Sequence, residues 1–259
     1  MLAFVDITDY LGLPILASEH GRDIDLLIGL VHWLMLLLFV GWMAYFIFVV
    51  IRFRASRNSR ADYVGVKSHF SSYLELGIAL IEAFLLIGFA VPLWAKVADK
   101  FPEEKESTVI RVTAQQFLWN SRYPGKDGKF GKQDAKLVSA ENPLGLDRTD
   151  PDGKDDIIPP INSISVPINK PVIAHITSMD VIHCFKILPM RVTQDAVPGL
   201  SIAVHFVPKK EGQYLINCAQ LCGNSHYFMK GFFNVLSTNA FSKWVADNSK
   251  TPAATGGFE

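Results

Sequence analysis

Cysteine is scarce: three residues in 259, Cys184, Cys218 and Cys222, all in the last third of the chain. An odd, clustered set is not the even, dispersed pattern of a disulfide-stapled scaffold. The string C-x-x-C-H is absent, which excludes a haem attached covalently to this chain. Net charge is absent as well, because 25 basic and 25 acidic residues cancel. No global field therefore draws nucleic acid or a strongly acidic partner. Internal repeats and low-complexity tracts are missing too. The residues before the first apolar run lack the basic stretch of a secretory leader, and that run is too long for one. It is expected to stay in the mature protein.

Charge is missing most conspicuously from residues 26–51, an apolar run more than long enough to cross a bilayer as a helix. A second run, 76–95, is about the minimum spanning length and carries one carboxylate, Glu82. Both are read as membrane spans. The connector between them holds Arg52, Arg54, Arg57, Arg60 and Lys67 against Asp62, which assigns it to the cytoplasmic side. Both termini are then expected outside, with an external N-terminal segment 1–23, a transmembrane hairpin 24–98 and an external domain 99–259.

From about residue 100 the apolar runs shorten and alternate with polar residues, as in an all-β domain. Strands are expected over 108–121, 163–168, 171–178, 201–208, 212–218 and 231–237, followed by a short C-terminal helix from 239 to 249. Ile164 and Val166 share one face, as do Ile202, Val204 and Phe206. A polar excursion of about 124–160 lacks periodicity and exceeds ordinary loop length.

The stretch INCAQLCGNSHYFMKG, residues 216–231, gathers Cys218, Cys222, His226 and Met229. A Cys218–Cys222 disulfide would leave His226 and Met229 unexplained. Zinc would take two thiolates and two imidazoles, but methionine is a soft ligand that favours copper. A mononuclear blue copper site uses one cysteine, whereas two cysteines can bridge two copper ions if a second imidazole is supplied. His183, expected at the end of the strand 171–178, is the candidate.

DVIHCF together with CAQLCGNSHYFM resembles the binuclear CuA site of cytochrome c oxidase subunit II, and the two spans ahead of a β domain agree with it. The resemblance covers essentially the whole chain. It implies a two-helix membrane hairpin followed by a cupredoxin-like Greek-key barrel. It implies bridging thiolates from Cys218 and Cys222, with His183 and Met229 on one copper, and His226 and the Gln220 carbonyl on the other. It further implies electrons accepted from cytochrome c, soluble, membrane-bound or attached to the complex. Those electrons pass to a haem-bearing catalytic subunit I that reduces O₂ and pumps protons, with subunit III alongside, in a bacterial plasma membrane or mitochondrial inner membrane. The bacterial setting is the one favoured.

Departures from the family pattern accompany the likeness. Gln220 stands where the family has glutamate, and the side chain there helps hold a Mg²⁺ at the catalytic-subunit contact; an amide offers oxygen without charge. Phe117 stands at the family's usual tryptophan for receiving electrons, and Trp119 matches a second aromatic; core packing is the plainer reading of both. Glu75, seventeen residues before Pro92, resembles the glutamate at the mouth of a proton-uptake path, against an interfacial carboxylate that merely meets water. Glu82 is expected to face the partner subunit, and Asp195 to lie near the catalytic subunit or in a solvated turn. Cys184, His175, His205 and His32 are expected to be structural. Other classes fit the pattern less well. A copper-delivery protein needs exchangeable, exposed ligands, and the related quinol-oxidase subunit lacks the copper ligands. A CuA-bearing nitric oxide reductase subunit differs only in the reaction of its partner chain.

Overall fold

The computed structural model describes residues 7–60, 63–65, 67–139 and 142–249. Asp62, the acid of the basic connector, lies outside the described residues, as do both chain ends. The described residues fall into two compact units, one comprising the apolar helices and the other residues 14–22 together with the chain from Val97 onward.

In the helical unit, α1 runs Gly21–Arg52 and a second helical rod runs Phe70–Ala98. Both are long and apolar enough to cross a membrane, and neither buries its most apolar window within the chain. Such side chains are stable only against lipid or a partner. The second rod comprises α2 (Phe70–Leu85), a π-helical turn (Leu86–Ala90) and α3 (Val91–Ala98). Pro92 has no N–H and its ring crowds the carbonyl four residues back, so the wider turn, with Val91 N–H on the Leu86 carbonyl, forms ahead of it. His32 donates from Nδ1 to the Ile28 carbonyl at 2.8 Å, a satisfied structural histidine. Arg52, Arg54, Arg57, Arg60 and Lys67 are exposed.

The β unit holds nine strands among the described residues. These are β1 (Thr108–Gln115), β2 (Leu118–Arg122), β3 (Ser163–Pro167), β4 (Val172–Ser178), β5 (His183–Ile187), β6 (Val192–Ala196), β7 (Ile202–Phe206), β8 (Gly212–Cys218) and β9 (Lys230–Leu236). They form a four-stranded sheet in the order β2-β1-β4-β7 and a five-stranded sheet in the order β3-β9-β8-β5-β6. This is the cupredoxin-like β architecture expected. The inner faces meet in a core of Ile110, Val112, Trp119, Phe185, Phe206 and Phe233, with Ile164 and Val166 buried on β3 as their alternation required. A helix α4 (Thr238–Asn248) follows, its N-terminus capped by Ser237 Oγ on the Ala240 N–H.

Two local expectations are corrected. Residues 108–121 are not one strand: the chain reverses at Gln116–Phe117, so Leu118 pairs back on Gln115 as an antiparallel hairpin. The segment 183–196, not anticipated as strand, forms the β5–β6 hairpin, turned by Leu188–Met190 and by Arg191 at φ 54°. His183 therefore opens its own strand instead of ending the preceding one.

Arg122 anchors the polar excursion. Its side chain is 2 % exposed and meets Asp156, equally enclosed, at 2.9 Å. It also donates to the Gly131 carbonyl and to Gln133 Oε1, while Phe130 lies under both Arg111 and Arg122. Burial lowers the Arg122 pKa and raises that of Asp156, with their mutual attraction opposing both shifts. Tyr123 OH donates to the Ser165 carbonyl and accepts from its N–H, and Tyr123 also bridges to Ile157. The excursion thus covers the outer face of edge strand β2, whose residues are all buried.

Asp156→Ala leaves a buried guanidinium without its counter-charge and is expected to cost about 3–5 kcal/mol. Equilibrium denaturation of the β unit measures this, and a loss below about 1 kcal/mol would show that the pair is solvated.

Candidate metal centre

Strand register builds the site. β5 and β8 pair antiparallel with Phe185 opposite Cys218, and the Ala219 N–H donates to the Cys184 carbonyl at 3.0 Å. His183, two residues before Phe185, shares its face of the sheet and points at the end of β8. The β8–β9 connection then folds back as a short 3₁₀ turn, His226–Phe228, which returns Met229 to the same place.

His183 Nδ1 lies 3.9 Å from Cys218 Sγ, and the two cysteine sulfurs are 3.8 Å apart. The Gln220 carbonyl is 3.1 Å from Cys218 Sγ. His226 Nδ1 and Met229 Sδ lie 3.5 and 3.7 Å from Cys222 Sγ. The ligand atoms of His183, Cys218 and Cys222 all fall within 4.8 Å of one another. All six residues singled out as metal ligands in the sequence are therefore brought together. The sulfurs are free thiols far beyond bonding distance, so the disulfide alternative does not describe this structure.

The donor set suits a soft cation: two sulfurs, two imidazole nitrogens, a thioether and a carbonyl, with His183, Cys222 and Met229 buried. Burial, then the neighbouring Cys218 sulfur, pushes the Cys222 thiol up to about 11. At neutral pH it keeps its proton until a cation displaces it.

Two supporting residues were missed by sequence reasoning. Asp180 Oδ1 lies 2.9 Å from His183 Nε2, which orients the ring with Nδ1 toward the sulfurs. Burial alone would raise the Asp180 carboxyl, but hydrogen bonds from His183 and from the Gln116 and Val181 N–H groups hold it below its ordinary value. Gln116 Nε2 donates to the Cys222 carbonyl at 2.6 Å, tying the β1–β2 turn to the ligand loop. An aspartate three residues before a candidate ligand was the available signal for the first; nothing local marked the second. Gly223 has φ +139°, and a Cβ there would meet Gln116 Nε2 at 2.7 Å and the Phe117 ring at 3.0 Å. This position is closed to side chains.

The remaining candidates are placed as follows. Phe117 is half-buried against Gly223. Trp119 is enclosed, edge-on to Phe185 at 5.4 Å and to His183 at 6.3 Å between ring centroids. Cys184 is buried; burial, and a hydrogen bond with the exposed Asp195 after it, push its thiol up to about 12. His175 on β4 is held below its ordinary pKa by burial and then by Arg111, and the His205 ring lies 4.6 Å from that of Phe101, tilted 57° to it. Glu75 and Glu82 lie exposed on α2.

Residues 108–235 match the family of cytochrome c oxidase subunit II, periplasmic domain. The alternative cytochrome c oxidase subunit 2 of Bradyrhizobium diazoefficiens is 31 % identical over 243 residues, 93 % of this chain and 85 % of that protein. A probable cytochrome c oxidase subunit 2 of Rickettsia bellii is 32 % identical, over 80 % of this chain and 72 % of that one. The crystal structure of the periplasmic domain of subunit II of cytochrome oxidase from Bradyrhizobium japonicum is 28 % identical, spans 58 % of this chain and 98 % of its own, and superposes with a TM-score of 0.43. With the thiol, imidazole and thioether donors converging at the end of the β unit and this likeness running through nearly the full length, the chain belongs to the cytochrome c oxidase subunit II family.

Proposed function

We propose that the chain is the electron-transfer subunit of a respiratory haem-copper oxidase and that its donor cluster holds two copper ions as a CuA centre. The observation that carries this reading is the crossed arrangement of donors about the sulfurs. Cys218 neighbours one imidazole and the carbonyl, and Cys222 neighbours the other imidazole and the thioether. If both thiolates bridge, His183 and Met229 serve one ion, and His226 and the Gln220 carbonyl the other. A copper pair held so supplies a one-electron couple between cytochrome c and the haem-bearing catalytic subunit, where O₂ is reduced to water with proton pumping. The protein's own part is to keep the donors fixed: Asp180 holds the His183 ring, Gln116 holds the ligand loop, and buried Trp119 packs edge-on to His183.

Phe117, against Gly223 and reaching the surface, is the residue where electrons arrive, with Trp119 one step further in. The two helices anchor the subunit beside catalytic subunit I and subunit III, with the arginine-rich connector on the cytoplasmic side and both termini periplasmic in a bacterial membrane. We assign Glu75 to the mouth of a proton path. Gln220 is the residue through which a Mg²⁺ at the subunit contact would be held.

Copper analysis of the purified subunit should give two ions per chain, with an electron paramagnetic resonance hyperfine pattern from two equivalent nuclei. A ratio of one, or a Cys218–Cys222 disulfide that resists copper loading after reduction, would overturn the reading. Asp180→Asn keeps the shape but loses the charge behind His183 and should lower copper affinity by about 10–100-fold, measured by competition with a chelator. Phe117→Ala should slow reduction by cytochrome c while leaving copper content and spectrum unchanged; an unaltered rate would move the point of arrival elsewhere.

A further inference from the structure

Four chain connections meet at the metal-bearing end of the β unit: residues 116–117, 179–182, 197–201 and 219–229. Together they contain one carboxylate, Asp180, and no lysine or arginine. Asp180 already accepts hydrogen bonds from Gln116 N–H and Val181 N–H and pairs with the His183 ring. The nearest cation, Lys230 at the start of β9, lies over the Phe228 ring at 5.7 Å. Glu104 and Glu106 precede β1 at the opposite end of that strand, most aspartates lie in the excursion after β2, and the exposed Asp195 of β6, opposite Cys184, is engaged by the Cys184 thiol.

In place of charge, this end presents apolar side chains. Met179, Val181 and Ile182 are 37–46 % exposed and Leu221 is 77 % exposed. They lie on the two connections that the Gln116–Phe117 turn touches. Gln116 binds both the 179–182 connection, through Asp180, and the ligand loop, through the Cys222 carbonyl, while Phe117 lies against Gly223. A donor that docks by a ring of lysines needs carboxylates to meet it, because complementary charge supplies steering and register. None is free here.

We propose that this end is the docking face for an electron-donating haem protein whose haem edge is framed by uncharged, apolar side chains instead of lysines. This rests on the electron-transfer reading above and names the class of its partner. Docking then depends on desolvating the patch formed by Met179, Val181, Ile182 and Leu221, and its rate is nearly independent of salt.

The test is stopped-flow reduction of the complete oxidase by a lysine-ringed c-type cytochrome between about 10 and 200 mM ionic strength, where the screening length falls from about 30 Å to below 10 Å. The bimolecular rate constant should change by less than about threefold, because the face gives the lysines nothing to pair with. A steeper fall with salt overturns the proposal. In Met179→Glu/Leu221→Glu, two carboxylates enter the patch, and the same probe should react faster at low salt with a fall of more than about threefold across the range. An unchanged salt response, or loss of the catalytic subunit from the purified variant, places docking elsewhere and overturns it. Met179→Glu alone serves if the double variant fails to load copper. A copper ratio other than two in the unaltered protein would instead refute the dicopper reading, so the two failures are distinguishable.

Discussion

The register of β5 against β8 governs the site. Phe185 faces Cys218 across the pair, so His183 emerges beside the sulfur at the strand's end, and a slip of one residue would turn the imidazole to the other side of the sheet. That register is fixed by the core, because Phe185 and Ile187 on β5 and Ile216 on β8 are fully enclosed and any slip would expose them. Apolar packing thus sets the geometry of the candidate metal donors. The loop from Ala219 to Met229 closes the constellation only because the sheet has already delivered two of its members.

The second constraint is contact between the β1–β2 turn and the ligand loop. Glycine at 223 lets the Phe117 ring and the Gln116 amide approach, and the Gln116 amide in turn holds the Cys222 carbonyl. Gln116 also reaches Asp180 through its backbone, so one turn braces both segments that carry donors. The half-buried Phe117 ring and the His183 imidazole are therefore parts of one packed body.

Much of this was legible in the sequence. The uncharged run 26–51 and the apolar run 76–95 marked the two candidate spans, and the C-x₃-C-x₃-H-x₂-M string pointed to four candidate donors, because few chemistries need those side chains so close. Strands with clean alternation, such as β3, were read correctly. The β5–β6 hairpin was not, since its strands are short and Pro189 with neighbouring charges breaks the pattern. The hairpin at Gln116–Phe117 was hidden because no glycine or proline marks the reversal, which is braced by the ligand loop through Gln116 and Gly223. Gln116 acts on the Cys222 carbonyl across a long separation in sequence, where periodicity carries no information, whereas Asp180 stands only three residues from His183.

Arg122 makes the excursion between β2 and β3 inseparable from the strand it covers. The guanidinium sits inside a strand with both faces covered, and the groups that answer it, Asp156, the Gly131 carbonyl and Gln133, all come from that excursion. Trimming the excursion would strand a buried guanidinium without its counter-charge, so a shortened chain would require the arginine to be replaced in the same step.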